Sequence, residues 1–253
     1  MRRILVDDLT HGLLKRLAVA RATLDPSVAA YWETRIWDRC IEERRPTCGS
    51  WLIEQRLRTI NYIQGLSHPV SVLEPGCSTG CMTLDLLRLP NVERVISWDI
   101  NESALAIAVE RAQEHCSRGS AVLFKAKWNE KSMERAIELV GSTSRLVVVA
   151  IEVLFHLSDA HDILRMTHMA VPKRTLLIGN LKTASGLLSH SALNRGVVSA
   201  LARWALANTL HRHDVEYWSV AGHKADQVRD LVTPFALLEM RSNDLYHWFA
   251  GTA

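Results

Sequence analysis

Hydrophobic positions return every three or four residues through the first part of the chain. Leu13, Leu14, Leu17 and Val19 make one stripe and Leu52, Leu57, Ile60 and Ile63 another, interrupted at Pro26 and at 46–50. That spacing lines one face of a helix, so helices are predicted from about residue 9 to residue 66. The texture changes at Val70. Val70-Ser-Val-Leu73 is a short apolar run ending at a glycine turn, and 82–89 resumes helical spacing, which predicts a strand, a turn and a helix. The alternation then repeats. Strands at 94–98, 121–125, 146–151 and 175–178 alternate with helices at 104–116, 131–140 and 159–170, the last opened by Ser158 as its cap.

Residues 181–218 break that rhythm with an alanine-rich helical stretch at 193–210. A helix at 224–232 then leads through Pro234 to two β-like runs, 235–241 and 245–250, close enough in sequence to pair antiparallel at a sheet edge. Strands alternating with helices, several of the strands apolar throughout, predict an α/β fold with a doubly wound, mostly parallel sheet covered on both faces. The N-terminal helices and the helical insertion are additions to it. The expected division is an N-terminal helical extension, 1–66, and a main domain, 67–253, with the insertion at about 181–218.

Composition narrows the chemistry. The chain has 253 residues, 48% of them hydrophobic, enough for one large α/β domain with a packed core. With 30 basic and 27 acidic residues the formal net charge is +3, which does not demand nucleic acid, and Arg2-Arg3 and Arg44-Arg45 read as solvated surface. No run approaches the roughly 18 apolar residues of a membrane span. The start, Met-Arg-Arg-Ile-Leu-Val followed by Asp7-Asp8, is unlike a signal peptide, so a cytoplasmic protein is expected. Cys40, Cys48, Cys77, Cys81 and Cys116 form no C-x-x-C pair and predict reduced thiols with no zinc or other metal.

The glycine turn reads in two ways. Gly76-Cys-Ser-Thr-Gly80 is a G-x-S-x-G string, which on a strand-to-helix turn can present Ser78 as a hydrolase nucleophile. That reading needs an oxyanion loop ahead of the serine, and the chain before Ser78 carries no His-Gly-Gly-Gly-type segment. The other reading is a nucleoside-cofactor loop. It predicts an acid at the tip of the second strand, about 20 residues past the glycines, to hold a ribose diol. Asp99 stands there, after Val95-Ile-Ser-Trp98. A dinucleotide turn would read G-x-G-x-x-G, whereas Glu74 ahead of Gly76 would repel a pyrophosphate and suits a cofactor carrying positive charge.

Val72-Leu-Glu-Pro-Gly-Cys-Ser-Thr-Gly80, residues 95–99 and Arg145-Leu-Val-Val-Val-Ala-Ile-Glu-Val-Leu-Phe-His-Leu-Ser-Asp159 together resemble class I S-adenosylmethionine-dependent methyltransferases, over about residues 70–250. The resemblance implies a Rossmann-like fold and S-adenosylmethionine as cofactor. It implies that the loop from Glu74 through Gly76, Cys77 and Ser78 to Gly80 wraps the methionine part, that Asp99 with Ile100 holds the ribose side, and that Trp128 or Asn129 covers adenine. Ser78 stands where glycine is more usual. Ile151-Glu-Val-Leu-Phe-His156 is similar to the corresponding stretch of small-molecule methyltransferases, the nodulation-factor N-methyltransferases among them, which favours a small-molecule amine or hydroxyl acceptor and leans towards N-methylation.

Methyl transfer from a sulfonium is an in-line displacement, so the protein mainly aligns the acceptor, and a base is required only when the acceptor arrives protonated. Glu152 and His156, past the fourth strand beside Ile151, are the candidates for that contact. Tyr31 and Trp32, with Trp37, can form a lid or belong to a core, and residues 1–66 can serve as a lid, as the surface of a homodimer, or as both. His190, Tyr217 and Trp218 in the inserted segment are the remaining candidates for acceptor contacts. His211 and His213 read as solvated loop residues. The alternatives are an RNA methyltransferase, which calls for a basic stripe beside the crevice, and a non-catalytic subunit that binds S-adenosylmethionine.

Overall fold

The computed structural model describes residues 50–115, 120–141, 145–154, 157, 160–182, 225–242 and 246–253. Among them, helix α1 (Ser50–Gln64) precedes strand β1 (Val70–Pro75), α2 (Cys81–Leu87), β2 (Val92–Asp99), α3 (Glu102–His115) and β3 (Ser120–Lys125). There follow α4 (Glu130–Val140), β4 (Arg145–Ala150), α5 (Ala160–Ala170), β5 (Leu176–Lys182), α6 (Ala225–Leu231), β6 (Ala236–Ser242) and β7 (Tyr246–Thr252). The strands form one seven-stranded sheet in the order β3-β2-β1-β4-β5-β7-β6. The first five run parallel, and β7 pairs antiparallel with both β5 and β6.

The parallel strands are central because they are apolar on both sides. Every residue of β1 is buried, as are five of the six in β4. Their side chains alternate between two cores, as the two-residue period of a strand requires. Leu73, Ile96 and Val148 join Trp98, Met133 and Leu164 on one face, whereas Val72, Val95 and Val147 join Ile63, Met82 and Leu86 on the other. Chain order reverses between β1 and β4, and at such a switch point the loops past the strands' carboxyl ends part to leave a crevice. The loops after β1, β2 and β4 therefore define where a ligand can sit.

Three details depart from the sequence expectations. The strand expected at 175–178 runs on to Lys182, because Gly179, Asn180 and Leu181 pair with Phe249, Trp248 and His247 of β7. A Cβ at Gly179 would stand 2.6 Å from the Phe249 ring, so the glycine that weakens the local strand signal is what lets the partner ring in. Leu57, expected in the buried stripe of α1, is 55% exposed. The buried face of that helix runs instead through Gln55, Thr59 and Ile63, and the Thr59 hydroxyl accepts a hydrogen bond from Trp248 Nε1 at 3.1 Å. The helix expected at 131–140 begins at Glu130, capped by Asn129, whose side chain accepts from the Ser132 N–H while Ser132 Oγ accepts from the Asn129 N–H.

The helices expected before residue 50 and the Ser158 cap lie outside the described residues, as does the insertion expected at 181–218 apart from Leu181 and Lys182, which belong to β5. No described helix is long and apolar enough to cross a membrane. Cys77 is a buried cysteine and Cys81 a half-buried one.

Candidate functional site

Between β1 and α2 the backbone is left-handed at Gly76 (φ 73°), Ser78 (φ 48°) and Gly80 (φ 77°). Two of these positions admit no side chain for packing reasons as well. A Cβ on Gly76 would lie 2.6 Å from Val153 Cγ2, in the turn after β4, and one on Gly80 would lie 2.8 Å from Ala108 Cβ on α3. The N–H groups of Gly76 and Cys77 both donate to the Trp98 carbonyl, at 2.7 and 3.2 Å, which ties the loop to the end of β2.

Ser78 is not a glycine, and a left-handed serine costs on the order of 1 kcal/mol. Its N–H donates to Asp99 Oδ2 at 2.8 Å, while Oδ1 of the same carboxylate accepts from the Asn101 N–H at 2.7 Å. Asp99 is thus held by two backbone amides at the rim of the loop. The loop follows β1 at the switch point. Its backbone is thus engaged with an acid, and no described histidine hydrogen-bonds Ser78 as a nucleophile's base would.

Glu74, the acid ahead of the glycines, is turned inward. It is 4% exposed, and its Oε2 accepts from Thr83 Oγ1 at 2.5 Å and from Ser97 Oγ at 2.7 Å. Burial pushes its carboxyl up to about 7, opposed by those two hydroxyls and by the Arg56 guanidinium and reinforced by the negative charge of Asp99. Arg56 itself is engaged by Asp85 and by the Cys81 carbonyl. Near neutral pH Glu74 is therefore neutral in a substantial fraction of molecules. On the outer side, Arg111 of α3 donates to the Thr79 carbonyl at 3.2 Å and to Cys81 Sγ at 3.1 Å, closing the loop against α3.

The opposite wall is the turn after β4. Ile151 is half-buried, and Glu152 is left-handed (φ 62°) although it is not a glycine. Asn180, fully buried near the end of β5, grips it at both ends. Its Oδ1 accepts from the Glu152 N–H at 2.7 Å, and its Nδ2 donates to Glu152 Oε1 at 2.5 Å. The hydroxyl of Tyr246, 3% exposed at the start of β7, hydrogen-bonds the same carboxylate. Burial and then the Glu152 charge raise Tyr246 well above the ordinary phenol range. Sequence reasoning singled out Glu152 but missed Asn180 and Tyr246. The available signal was an asparagine inside the apolar run Leu176-Leu-Ile-Gly-Asn-Leu181.

Past Asp99 the site continues over Ile100, an apolar side chain left 54% exposed at the crevice rim. Trp128 packs among Trp98, Phe124 and Met133 in the core, and Asn129 is the cap of α4. Lys125 bridges to Glu102 at 2.6 Å across the same corner. The structure thus brings together Glu74, Gly76, Cys77, Ser78, Gly80, Asp99, Ile100, Ile151 and Glu152 around the ends of β1, β2 and β4. His156, Tyr31, Trp32, His190, Tyr217 and Trp218 lie outside the described residues. Among the described residues no three His, Cys, Asp or Glu side chains stand together to hold a metal ion.

No family model matches the sequence, and no curated protein matches it. Solved structures do. An O-methyltransferase family protein from Burkholderia thailandensis superposes with a TM-score of 0.57 at 14% identity, covering 90% of this chain, which spans 60% of that protein's length. A mycolic acid cyclopropane synthase complexed with SAH and CTAB gives 0.55 at 10% identity, over 78% of this chain and 84% of the other. Magnesium protoporphyrin IX methyltransferase from Synechocystis, with bound SAH, gives 0.54 at 15% identity, over 90% and 99%. The sheet order, the antiparallel C-terminal pair and these superpositions agree: the chain has the fold of the class I S-adenosylmethionine-dependent methyltransferases.

Proposed function

We propose that the protein transfers the methyl group of S-adenosylmethionine to a small-molecule amine or hydroxyl, with an amine favoured. The observation that carries this reading is the contact at the switch point, where the Ser78 N–H of the glycine loop meets the carboxylate of Asp99. It sets a bare loop and a ribose-type acid side by side. The exposed Ile100 beside them fits an adenine face, and the three similar structures include two with bound SAH.

When bound, the cofactor supplies an electrophilic methyl on a sulfonium. The residues of this chain then have to bind, orient and exclude water. Loop 74–80 would hold the amino-acid part, Asp99 and Ile100 the ribose and adenine side, and Trp128 and Asn129 would back the adenine corner. Ile151, Glu152 and His156 would face the acceptor end of the crevice. An amine that arrives as ammonium has to lose its proton before attack, and His156 is the candidate base. Tyr31, Trp32, His190, Tyr217 and Trp218 are the candidates for acceptor contacts.

Calorimetric titration with S-adenosylhomocysteine tests this without knowledge of the acceptor. Saturable binding is expected, weakened roughly 10-fold or more by Asp99→Ala, the scale of lost hydrogen bonds to a charged group. Absence of binding to the intact chain would overturn the reading.

A further inference from the structure

The clamp on Glu152 has no explanation in the fold alone. A left-handed turn after β4 is met most simply by glycine, which adopts that conformation without steric cost. Here the position carries a glutamate (φ 62°), and a buried amide and a buried phenol are arranged around its carboxylate. The asparagine reads both the main chain and the side chain of one residue, so the turn and the carboxylate are held as one unit. The next residue, Val153, fills the space over Gly76 that a Cβ would otherwise occupy. The clamped carboxylate is therefore keyed to the glycine loop.

Besides Asp99 at the ribose side, two carboxyls flank that loop, and they differ in what they can offer. Glu74 is buried, committed to the hydroxyls of Thr83 and Ser97, and neutral in part near pH 7. Glu152 is only partly buried and accepts from Asn180 and from the Tyr246 hydroxyl, which fix its position. A zwitterionic amino-acid tail lodged between the loop and the turn presents an ammonium, and a fixed carboxylate is its natural counter-charge.

We propose that Asn180 and Tyr246 are positioning residues that hold the Glu152 carboxylate as the partner of the α-ammonium group at the cofactor's amino-acid end. This rests on the methyl-transfer reading above and assigns the recognition of that end to β5 and β7, which supply Asn180 and Tyr246.

The test is a double-mutant cycle on the full chain, read by calorimetry with S-adenosylhomocysteine and by competition with 5′-methylthioadenosine, which lacks the amino-acid end. Glu152→Gln is expected to weaken S-adenosylhomocysteine about 10-fold or more, and Tyr246→Phe about 3- to 10-fold. Tyr246→Phe should add no further loss in the Glu152→Gln background. The affinity for 5′-methylthioadenosine should stay within about 2-fold in all variants, given that its contacts lie elsewhere. Asn180→Leu, close in shape and lacking both amide groups, should repeat the Tyr246→Phe pattern and carries the cycle if that variant folds poorly.

A Glu152→Gln protein that binds S-adenosylhomocysteine as tightly as the parent would overturn the proposal. So would a Tyr246→Phe loss that is the same with and without Glu152, or equal for both ligands, since either marks a role in folding only. If the parent protein binds neither nucleoside, the methyl-transfer reading itself fails.

Discussion

The two walls of the crevice are built by different means. The wall after β1 is local: Glu74 to Asp99 is a single strand-loop-helix-strand unit, and its shape comes from left-handed glycines and from N–H groups meeting the Trp98 carbonyl and the Asp99 carboxylate. The wall after β4 is assembled from distant parts. Glu152 is fixed by Asn180 of β5 and by Tyr246 of β7, a strand that enters the sheet antiparallel. The local wall draws on its own unit and on its neighbours α3 and the turn after β4, whereas the assembled one depends on the docking of the last strands.

The largest effect that would break this comparison is expected at the local wall. Gly80→Val places a branched side chain at φ 77° and against Ala108, whose Cα would be 3.0 Å from the new Cβ. Left-handed strain and overpacking together are expected to lower stability by about 3–5 kcal/mol, measured by urea denaturation. A loss under about 1 kcal/mol would show that α3 can move away and that the local wall is softer than its contacts imply.

Next comes the buried acid. The carboxyl of Glu74 sits up to about 7 in the folded protein, above its ordinary value of 4.5, so folding favours the protonated form. Its contribution is complete below the ordinary carboxyl range and is lost as pH rises towards and through about 7. Glu74→Gln, which keeps the acceptor oxygen for Thr83 and Ser97, is expected to match the parent near pH 4 and to exceed it by about 3 kcal/mol near pH 8. Urea midpoints at the two pH values check this. An unchanged difference between them would mean that the inward-facing carboxyl is not burdened by burial.

The smallest effect sharpens the assembled wall. Thr59→Val leaves the fully buried indole N–H of Trp248 without its acceptor, and about 1–2 kcal/mol of stability should be lost, with β7 affected first. Hydrogen exchange should then show faster opening at Phe249 and Ala250 than at Val72 and Leu73. Equal acceleration in both strands would indicate that the two walls unfold as one unit.

The legibility of the molecule follows the same divide. Apolar runs and helical stripes placed each described strand and helix within a few residues, because a strand's two-residue period and a helix's 3.6-residue period are local properties of the side chains. The glycine loop and Asp99 were legible for a related reason: left-handed backbone and an acid at a strand tip are written in consecutive residues. Leu57 was misplaced because a stripe of apolar residues does not show which flank meets the sheet. That was decided by Trp248, which needs the Thr59 hydroxyl for its buried N–H.

Sequence alone thus determined the α/β alternation, the order of the described elements, the glycine turn and the acid Asp99 at the tip of β2. Only the tertiary structure decided that Glu74 turns inward onto Thr83 and Ser97, that β5 continues through Gly179 and Asn180, and that Asn180 and Tyr246 converge on Glu152. Those outcomes depend on which strand lies beside which, and on buried polar groups finding partners far along the chain, a requirement that no local pattern encodes.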